Sequence, residues 1–187
     1  NQVAAILIAV AVTFLVEPGN VHLFDADPAR FYEAQSGWVS NTAGAAPDHL
    51  AAFAPEGASR NVVLANGQNA VQVPFVWKGA NGVTIRRTYT FPRGGYAIDV
   101  RDEVVNHGAA NWQGYVYRQL VRNPPPQKTG YTNPEAFAFH GATWYTPDEK
   151  YDRRKYEDFV DDGTLDKEST GGWIALLQHY FFSAWIP

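Results

Sequence analysis

The middle of the chain alternates between apolar and polar residues with the period of two that is typical of β-strands. The alternation runs from Val71 to Trp77, from Val83 to Phe91 and from Tyr96 to Val105, and an aromatic segment follows at Trp112–Arg122. Short runs of glycine, proline and asparagine separate these segments, as turns do. The spacing predicts four strands joined as an antiparallel meander.

The same alternation predicts which side chains are buried. Asp102 falls on the opposite face of its strand from Asp99 and Glu103, so these acids do not make the paired carboxylates of a glycosidase. We expect mainly strand, with less than about 40% helix. The residues expected in the core are Val71, Val73, Phe75, Ile98, Val100, Leu120, Leu177 and Trp185.

The first apolar run, Val3–Val16, has fourteen residues without a charge, whereas a bilayer span needs about 20. No polar stripe recurs at helical spacing, which excludes a surface helix. A buried core helix, the apolar region of a signal peptide and a trimmed signal anchor all fit this run. The residues that follow, Glu17–Gly19, do not resemble a signal-peptide cleavage site. A transmembrane signal anchor is therefore the favoured interpretation, and we expect a helix there.

The last third of the chain holds two segments of ambiguous periodicity. Asp148–Asp162 is highly charged and is compatible with a helix, a turn or a strand. Trp173–Pro187 is apolar at positions that fit both a helix and a strand. Because the sequence stops directly after this apolar run, we expect more protein to follow Pro187.

Composition and charge narrow the function classes. With 14% aromatic and 18% charged residues, the chain is able to bury a core. It contains no cysteine, which removes disulfide frameworks, thiolate zinc sites and cysteine nucleophiles. A net charge of -4 is untypical of a nucleic-acid-binding protein. Residues 60–128 carry nine basic and three acidic residues, a patch that suits anionic lipid or an acidic partner.

No spacing in the sequence predicts a catalytic centre, a cofactor or a metal. The acidic stretch around Gly163 fails as a twelve-residue calcium loop, since its third position is Val160 and its twelfth is Ser169. The five histidines stand singly. His140 and His179 lie inside apolar stretches and are interpreted as buried structural residues. The glycines mark turns, and none forms a phosphate-binding loop.

Two stretches of the sequence resemble a known family. Gly171–Pro187 reads GGWIALLQHYFFSAWIP, which resembles the end of the large periplasmic domain of the YidC/Oxa/Alb family of bacterial inner-membrane protein insertases. Thr146–Tyr151 reads TPDEKY, which is similar to a second stretch of that domain. The resemblance extends over Val21–Pro187, and Val3–Val16 is similar to the family's first transmembrane helix. The residues that carry the family signature are Gly172, Trp173, Gln178, Tyr180, Phe181, Trp185 and Pro187.

The resemblance implies a mainly β fold, an antiparallel β-supersandwich of galactose mutarotase-like shape in which Trp173–Pro187 is strand. It implies that residues 1–16 belong to a transmembrane signal anchor and residues 17–187 to a periplasmic domain at the bacterial inner membrane. Members of the family insert and fold inner-membrane proteins, alone or with the Sec translocon. The implied partners are Sec translocon subunits, nascent inner-membrane proteins and the lipid bilayer, with no nucleic acid.

The family's insertion groove lies in later helices, so we expect this chain to be an incomplete protein without that core. Its expected role is that of a docking or chaperone-like domain without a catalytic site. Only Glu17–Arg30 separates Val16 from Phe31, where the family has a polar linker and early strands. We therefore expect residues to be missing between about Val16 and Val21.

Two other interpretations stay open on the residues alone. One is a secreted or anchored sugar-binding or mutarotase-like sandwich, and the other is a purely structural β-module of an envelope complex. A mutarotase needs a convergent histidine and carboxylate. The isolated histidines and scattered acids of this sequence do not supply that pair.

Overall fold

The computed structural model describes residues 2–11, 24–57, 61–124, 130, 132–178 and 181–187. This part of the chain is mainly β, which confirms the prediction of low helix content. The strands are β1 (Gln2–Ala11), β2 (Tyr32–Ser40), β3 (Ala54–Pro55), β4 (Ala70–Lys78), β5 (Val83–Pro92), β6 (Ala97–Asn106), β7 (Gly114–Arg122), β8 (Gly141–Thr146), β9 (Lys150–Lys155), β10 (Trp173–Gln178) and β11 (Phe181–Ile186). The helices are a 3-10 turn, Pro134–Phe137, and α1 (Asp158–Asp162).

The chain divides into two compact units. The first unit comprises Asn1–Leu7 and Gln35–Gln119, and the second comprises Ile8–Ala34 and Leu120–Pro187. Each unit has its own set of antiparallel strands and its own buried residues.

The sheet of the first unit contains β3, β4, β5 and β6 in that order, with each neighbouring pair antiparallel. Ile85 in β5 is paired with Trp77 in β4 on one side and with Val104 in β6 on the other. Directly paired residues point to the same face of a sheet, so these three apolar side chains form one row. Trp38, Val83 and Ile85 form the buried centre of the unit.

The predicted meander is correct for its first three strands and wrong for the fourth. β7 leaves the sheet and pairs with β2 in a separate two-stranded sheet. The connection from β6 to β7 is longer than the two-residue loop of a tight hairpin, so β7 is free to cross to another layer. Val116 of β7 and Trp38 of β2 pack against Val83 and Ile85. The first unit therefore has two layers of strands around one core.

Two of the residues expected in the core are fully buried, since Val100 is 4% and Trp185 is 3% exposed. The other six are only half-buried. Three of those six lie on β4, whose neighbour β3 is two residues long and pairs only with Phe75 and Val76. A strand next to so short an edge strand is covered over only part of its length. The half-buried residues are Val71, Val73, Phe75, Ile98, Leu120 and Leu177.

The sheet of the second unit contains β11, β10, β8 and β9 in that order, again antiparallel. Ala175 in β10 is paired with Ala184 in β11 and with Thr143 in β8. All three side chains are buried. The strand assignment that the resemblance implied for Trp173–Pro187 is confirmed by β10 and β11.

The charged stretch Asp148–Asp162 contains a turn, a strand and a short helix in succession. The sequence was compatible with a helix, a turn or a strand there, and each of these occurs in part of the stretch. Arg154, at the end of β9, has its guanidinium carbon 5.0 Å from the centre of the Phe159 ring in α1. The Nε atom of Arg154 lies 4.0 Å from Asp162 Oδ2. Arg154 thus connects the basic strand β9 to the acidic helix α1 that follows it.

The N-terminal segment differs from the sequence prediction. Residues Gln2–Ala11 form a strand, β1, where a helix over Val3–Val16 was expected. β1 has a hydrogen-bonded neighbour on each side, and interior strands often read as continuous apolar runs. Periodicity alone does not distinguish such a strand from a buried helix, which explains the wrong prediction.

Among the described residues, no helix is both long and apolar enough to cross a membrane. Residues 12–23 lie outside the described part of the chain, and so does the junction between Val16 and Val21 at which residues were expected to be missing.

Candidate protein-docking surface

A row of three aromatic side chains crosses one face of the second unit. Trp173 in β10 is paired with Tyr145 in β8, which in turn is paired with Tyr151 in β9. The rings of Trp173 and Tyr145 are stacked, with their centroids 6.2 Å apart and their planes inclined at 14°. The centroid of the Tyr151 ring lies 6.0 Å from that of Trp173. We call these three residues the aromatic corner.

The backbone before Trp173 approaches β8 so closely that it requires glycine. Gly172 has a φ of 120°, a conformation that L side chains rarely adopt. A Cβ atom at this position would lie 2.2 Å from the carbonyl oxygen of Tyr145. Gly172 therefore allows the Trp173 ring to stack on Tyr145.

The turn between β8 and β9 fixes the third ring of the aromatic corner. The backbone N–H of Glu149 donates to Thr146 Oγ1 over 3.0 Å, and Lys150 Nζ donates to the Pro147 carbonyl oxygen over 2.6 Å. Lys150 has a φ of 68°, a left-handed conformation that needs support from its surroundings. Tyr151 follows directly, so this turn sets the position of its ring.

The aromatic corner is accessible and has charged neighbours. Tyr151 is 51% exposed. At the adjoining turn, Lys167 forms an ion pair with Glu149, and its Nζ lies 5.9 Å from the centre of the Trp144 ring. Aromatic side chains with a charged rim are typical of protein–protein interfaces. This surface is suited to binding a polypeptide.

The second unit also buries a cluster of hydroxyl side chains. Tyr32 is 2% exposed, and its hydroxyl is hydrogen-bonded to Ser183 Oγ, which is fully buried. The guanidinium carbon of Arg122 lies 4.6 Å from the centre of the Tyr32 ring. Burial raises the pKa of Tyr156 to about 12, although the charge of Arg122 opposes this. Burial also raises the pKa of Tyr32, so both phenols stay protonated in the folded protein.

The first unit buries an ion pair instead. Arg87 donates to Asp102 from Nε and from Nη2, each over 2.7 Å, and Trp38 Nε1 donates to Asp102 Oδ2 over 2.8 Å. Arg87 is 5% exposed and Asp102 is 3% exposed. Burial alone would lower the pKa of Arg87, but the hydrogen bonds and charge of Asp102 outweigh burial and raise it. The alternation placed Asp102 on the correct face, whereas nothing in the sequence pattern identified Trp38 as its partner.

Comparison with known proteins decides the family. The YidC periplasmic domain profile matches residues 13–187. The chain belongs to the YidC periplasmic domain family. Similar proteins include those named membrane protein insertase YidC from Xanthomonas euvesicatoria pv. vesicatoria (strain 85-10), Xanthomonas oryzae pv. oryzae (strain PXO99A) and Stenotrophomonas maltophilia (strain K279a), at 50%, 52% and 51% identity over 167 residues. Each comparison covers 89% of this chain and 29% of the relative, so the chain spans less than a third of these proteins.

The two stretches that carried the resemblance meet in this YidC periplasmic domain. Gly172 and Trp173 belong to one stretch, and the turn Thr146–Lys150 with Tyr151 belongs to the other. Nineteen residues separate the two stretches along the chain, and the contact between the rings of Tyr151 and Trp173 joins them. Sequence comparison identified both stretches but not their contact.

The remaining signature residues of the YidC family have structural positions or lie outside the description. Trp185 is buried, and Gln178 is paired with Phe181 where β10 and β11 meet. Pro187 is exposed at the end of the chain. Tyr180 lies outside the described residues, so no position is assigned to it.

Two of the described histidines differ in their surroundings. His49 contacts Tyr117, with Nδ1 lying 2.7 Å from the phenol oxygen, and His140 is half-buried rather than buried. Across the described residues, no group of three or more His, Asp or Glu side chains is placed to hold a metal ion. His22 and His179 lie outside those residues.

Proposed function

We propose that this chain is the docking and chaperone-like domain of a membrane protein insertase on the periplasmic side of the bacterial inner membrane. Membership of the YidC periplasmic domain family supports this role, as does the name membrane protein insertase carried by its relatives. In this proposal the larger protein inserts and folds inner-membrane proteins, alone or with the Sec translocon. Residues 17–187 hold partners beside the membrane during that process.

The aromatic corner carries the proposal, because it is an exposed surface built from both signature stretches. Tyr151 offers a ring that is half exposed and that contacts the ring of Trp173. Residues 148–168, which include Tyr151, carry nine acidic and five basic side chains. A mixed rim of this kind favours correct orientation of a protein partner over tight, nonspecific binding. The partners proposed are Sec translocon subunits and nascent inner-membrane proteins.

The role is a binding role without covalent chemistry. A polar segment that enters a bilayer must lose its water, and each unpaired backbone group in hydrocarbon costs several kcal/mol. A domain that holds a partner near the entry site reduces the search for that site without forming or breaking a bond. No cofactor is needed for such a step.

Site-specific photocrosslinking in native membranes tests this proposal. A photoreactive phenylalanine analogue placed at Tyr151 is expected to give adducts with Sec subunits or nascent membrane proteins. Leu50 in the first unit is 80% exposed and provides the control, because it lies in the other unit and outside both signature stretches. The same analogue at Leu50 is expected to give few or no adducts.

Two outcomes would contradict the proposal. Equal crosslinking from Tyr151 and Leu50 would show that the aromatic corner has no special role in docking. The second outcome is enzymatic: interconversion of aldose anomers by the purified chain, with loss of that activity in His140→Ala, would identify a mutarotase-like protein instead.

A further inference from the structure

Four large apolar side chains are exposed in the loop before β4 and around the turn from β5 to β6 in the first unit. Val63 is 81% exposed and Val62 is 46% exposed in the loop before β4. Tyr96 is 61% exposed and Phe91 is 38% exposed where β5 turns into β6. We call these four residues together with Arg93 the apolar tip.

Arg93 joins the two loops of the apolar tip. Its backbone N–H donates to the carbonyl oxygen of Asn69 over 2.7 Å. Its guanidinium donates from Nε to the Gln68 carbonyl oxygen over 2.9 Å and from Nη2 to the Ala65 carbonyl oxygen over 2.8 Å. The loop before β4 and the turn between β5 and β6 are therefore held together at Arg93.

The aromatic ring of Phe91 connects the apolar tip to the body of the unit. It stacks on Tyr89, with the ring centroids 6.5 Å apart and the planes inclined at 28°. Tyr89 in turn contacts Phe75 at a centroid distance of 5.9 Å. The tip is thus the end of a continuous row of rings.

Arg93 is the basic residue of the apolar tip. Two other basic residues of β5 lie away from the tip and are paired with acids: Arg86 with Glu56 and Glu103, and Arg87 with Asp102. Asp99 is paired with Thr90 in β5 and is the first acidic residue of β6 behind the tip. Arg93 is exposed at the tip itself. The guanidinium contacts described above are to carbonyl oxygens, so its charge is not neutralised by them.

We propose that the apolar tip binds the surface of an anionic phospholipid bilayer. Tyrosine and phenylalanine favour the boundary between headgroups and acyl chains, protruding valines bury apolar area there, and an arginine attracts anionic headgroups. Val62, Val63 and Tyr96 project from loops and Phe91 lies at the end of β5, an arrangement that suits a fluid surface. The inference rests on the proposed function, since an insertase domain is held within reach of the membrane.

Flotation with lipid vesicles tests the proposal, using the 187-residue chain and matched variants. Binding to phosphatidylcholine vesicles containing phosphatidylglycerol is expected, with much weaker binding to phosphatidylcholine alone and weaker binding at high salt. Val63→Asp should reduce binding at least about fivefold, because one charge near an anionic surface changes affinity by about that factor. Tyr96→Ser should reduce it by a smaller factor.

Residues outside the apolar tip offer controls of the same types. Val160 in the second unit is 84% exposed and Tyr115 in β7 is 65% exposed, so Val160→Asp and Tyr115→Ser should bind vesicles as the unchanged chain does. Circular dichroism and thermal unfolding establish that each variant is folded.

Several results would overturn the proposal. The first is failure of the unchanged chain to float with phosphatidylglycerol vesicles, and the second is equal loss of binding in Val63→Asp and Val160→Asp. Binding to protein-containing membranes but not to protein-free vesicles would identify a protein partner for the tip. Flotation tests lipid binding by the apolar tip, and crosslinking from Tyr151 tests protein docking at the aromatic corner. The two measurements are independent, so either proposal is able to fail without the other.

Discussion

The two units bury different kinds of polar group. The first unit buries a charged pair, Arg87 with Asp102, joined by the Trp38 indole. The second buries hydroxyl groups, with Tyr32 hydrogen-bonded to Ser183 and Tyr156 nearby. The pair in the first unit joins two oppositely charged side chains, whereas the cluster in the second unit consists of hydroxyl groups beside the Arg122 guanidinium.

Because of this difference, the stability of the two units should respond differently to loss of a partner side chain and to alkaline pH. A buried ion pair adds little net stability when it is intact, yet removal of one partner leaves an uncompensated charge in the interior. A buried hydroxyl pair costs less when it is broken. It is, however, sensitive to alkali, because deprotonation places a charge where water is excluded.

The largest expected effect is the loss of the carboxylate in the first unit. Asp102→Ala leaves the Arg87 guanidinium buried without its partner and should lower the free energy of unfolding by about 3–5 kcal/mol. Urea denaturation of the chain, followed by tryptophan fluorescence, measures this change.

Glu103 is the matched control, since it is the next residue and lies on the opposite face of β6. Its carboxylate is 3.4 Å from Arg86 in an exposed ion pair, so Glu103→Ala should cost less than about 1 kcal/mol. Similar losses in the two variants would show that burial of the Asp102 pair does not matter.

Alkaline pH should act on the second unit through Tyr156. Its pKa is about 12 in the folded protein and 10.0 in an unfolded chain, so the stabilisation is complete below about pH 10. As the pH rises from 10 towards 12 the unfolded state loses the proton first, and about 2–3 kcal/mol of stability is lost.

Urea denaturation at successive pH values through that window checks the prediction, with Tyr156→Phe as the comparison. The variant has no phenol at this position, so its stability should fall less steeply with pH than that of the unchanged chain. A residual slope is expected because burial also raises the pKa of Tyr32. Identical slopes would show that Tyr156 does not titrate as described.

The smallest expected effect is the loss of the Tyr32–Ser183 hydrogen bond. Ser183→Ala leaves the Tyr32 hydroxyl buried without that partner and should cost about 1–2 kcal/mol. Adding Tyr32→Phe removes the second hydroxyl, so the double variant should cost less than the sum of the two single changes.

Ser169→Ala serves as a control for that cycle. Ser169 is exposed and donates only to the carbonyl oxygen of Gly171, over 3.1 Å, so its removal should change stability by less than about 0.5 kcal/mol. Strictly additive costs at Tyr32 and Ser183 would be inconsistent with a direct hydrogen bond between them.

The parts of the fold that follow from local pattern could be predicted, and those that depend on distant pairing could not. Alternation along β6 places Asp102 on one face whatever the strand packs against. Its hydrogen bond with Trp38 joins residues 64 positions apart, and no spacing encodes that contact. β7 was misplaced for the same reason, since its choice of β2 as a partner depends on side chains far along the sequence.

The candidate site shows the same division. The signature stretches identified Gly172 and Trp173 as family residues, but only the register of β8 against β10 brings Trp173 onto Tyr145. The prediction of a helix in the N-terminal apolar run was wrong for a different reason. An uninterrupted apolar segment carries no period, so β1 and a helix were equally compatible with it.

The positive charge on β9 affects the tendency of the protein to aggregate at high concentration. Among the described strands β9 pairs with β8 alone, so its other edge presents backbone groups that a second copy of the chain would be able to extend. Four of its six residues are basic: Lys150, Arg153, Arg154 and Lys155. Two such edges repel each other, which discourages the strand-to-strand growth that leads to aggregates. Copies of this chain at high concentration therefore stay separate at this edge.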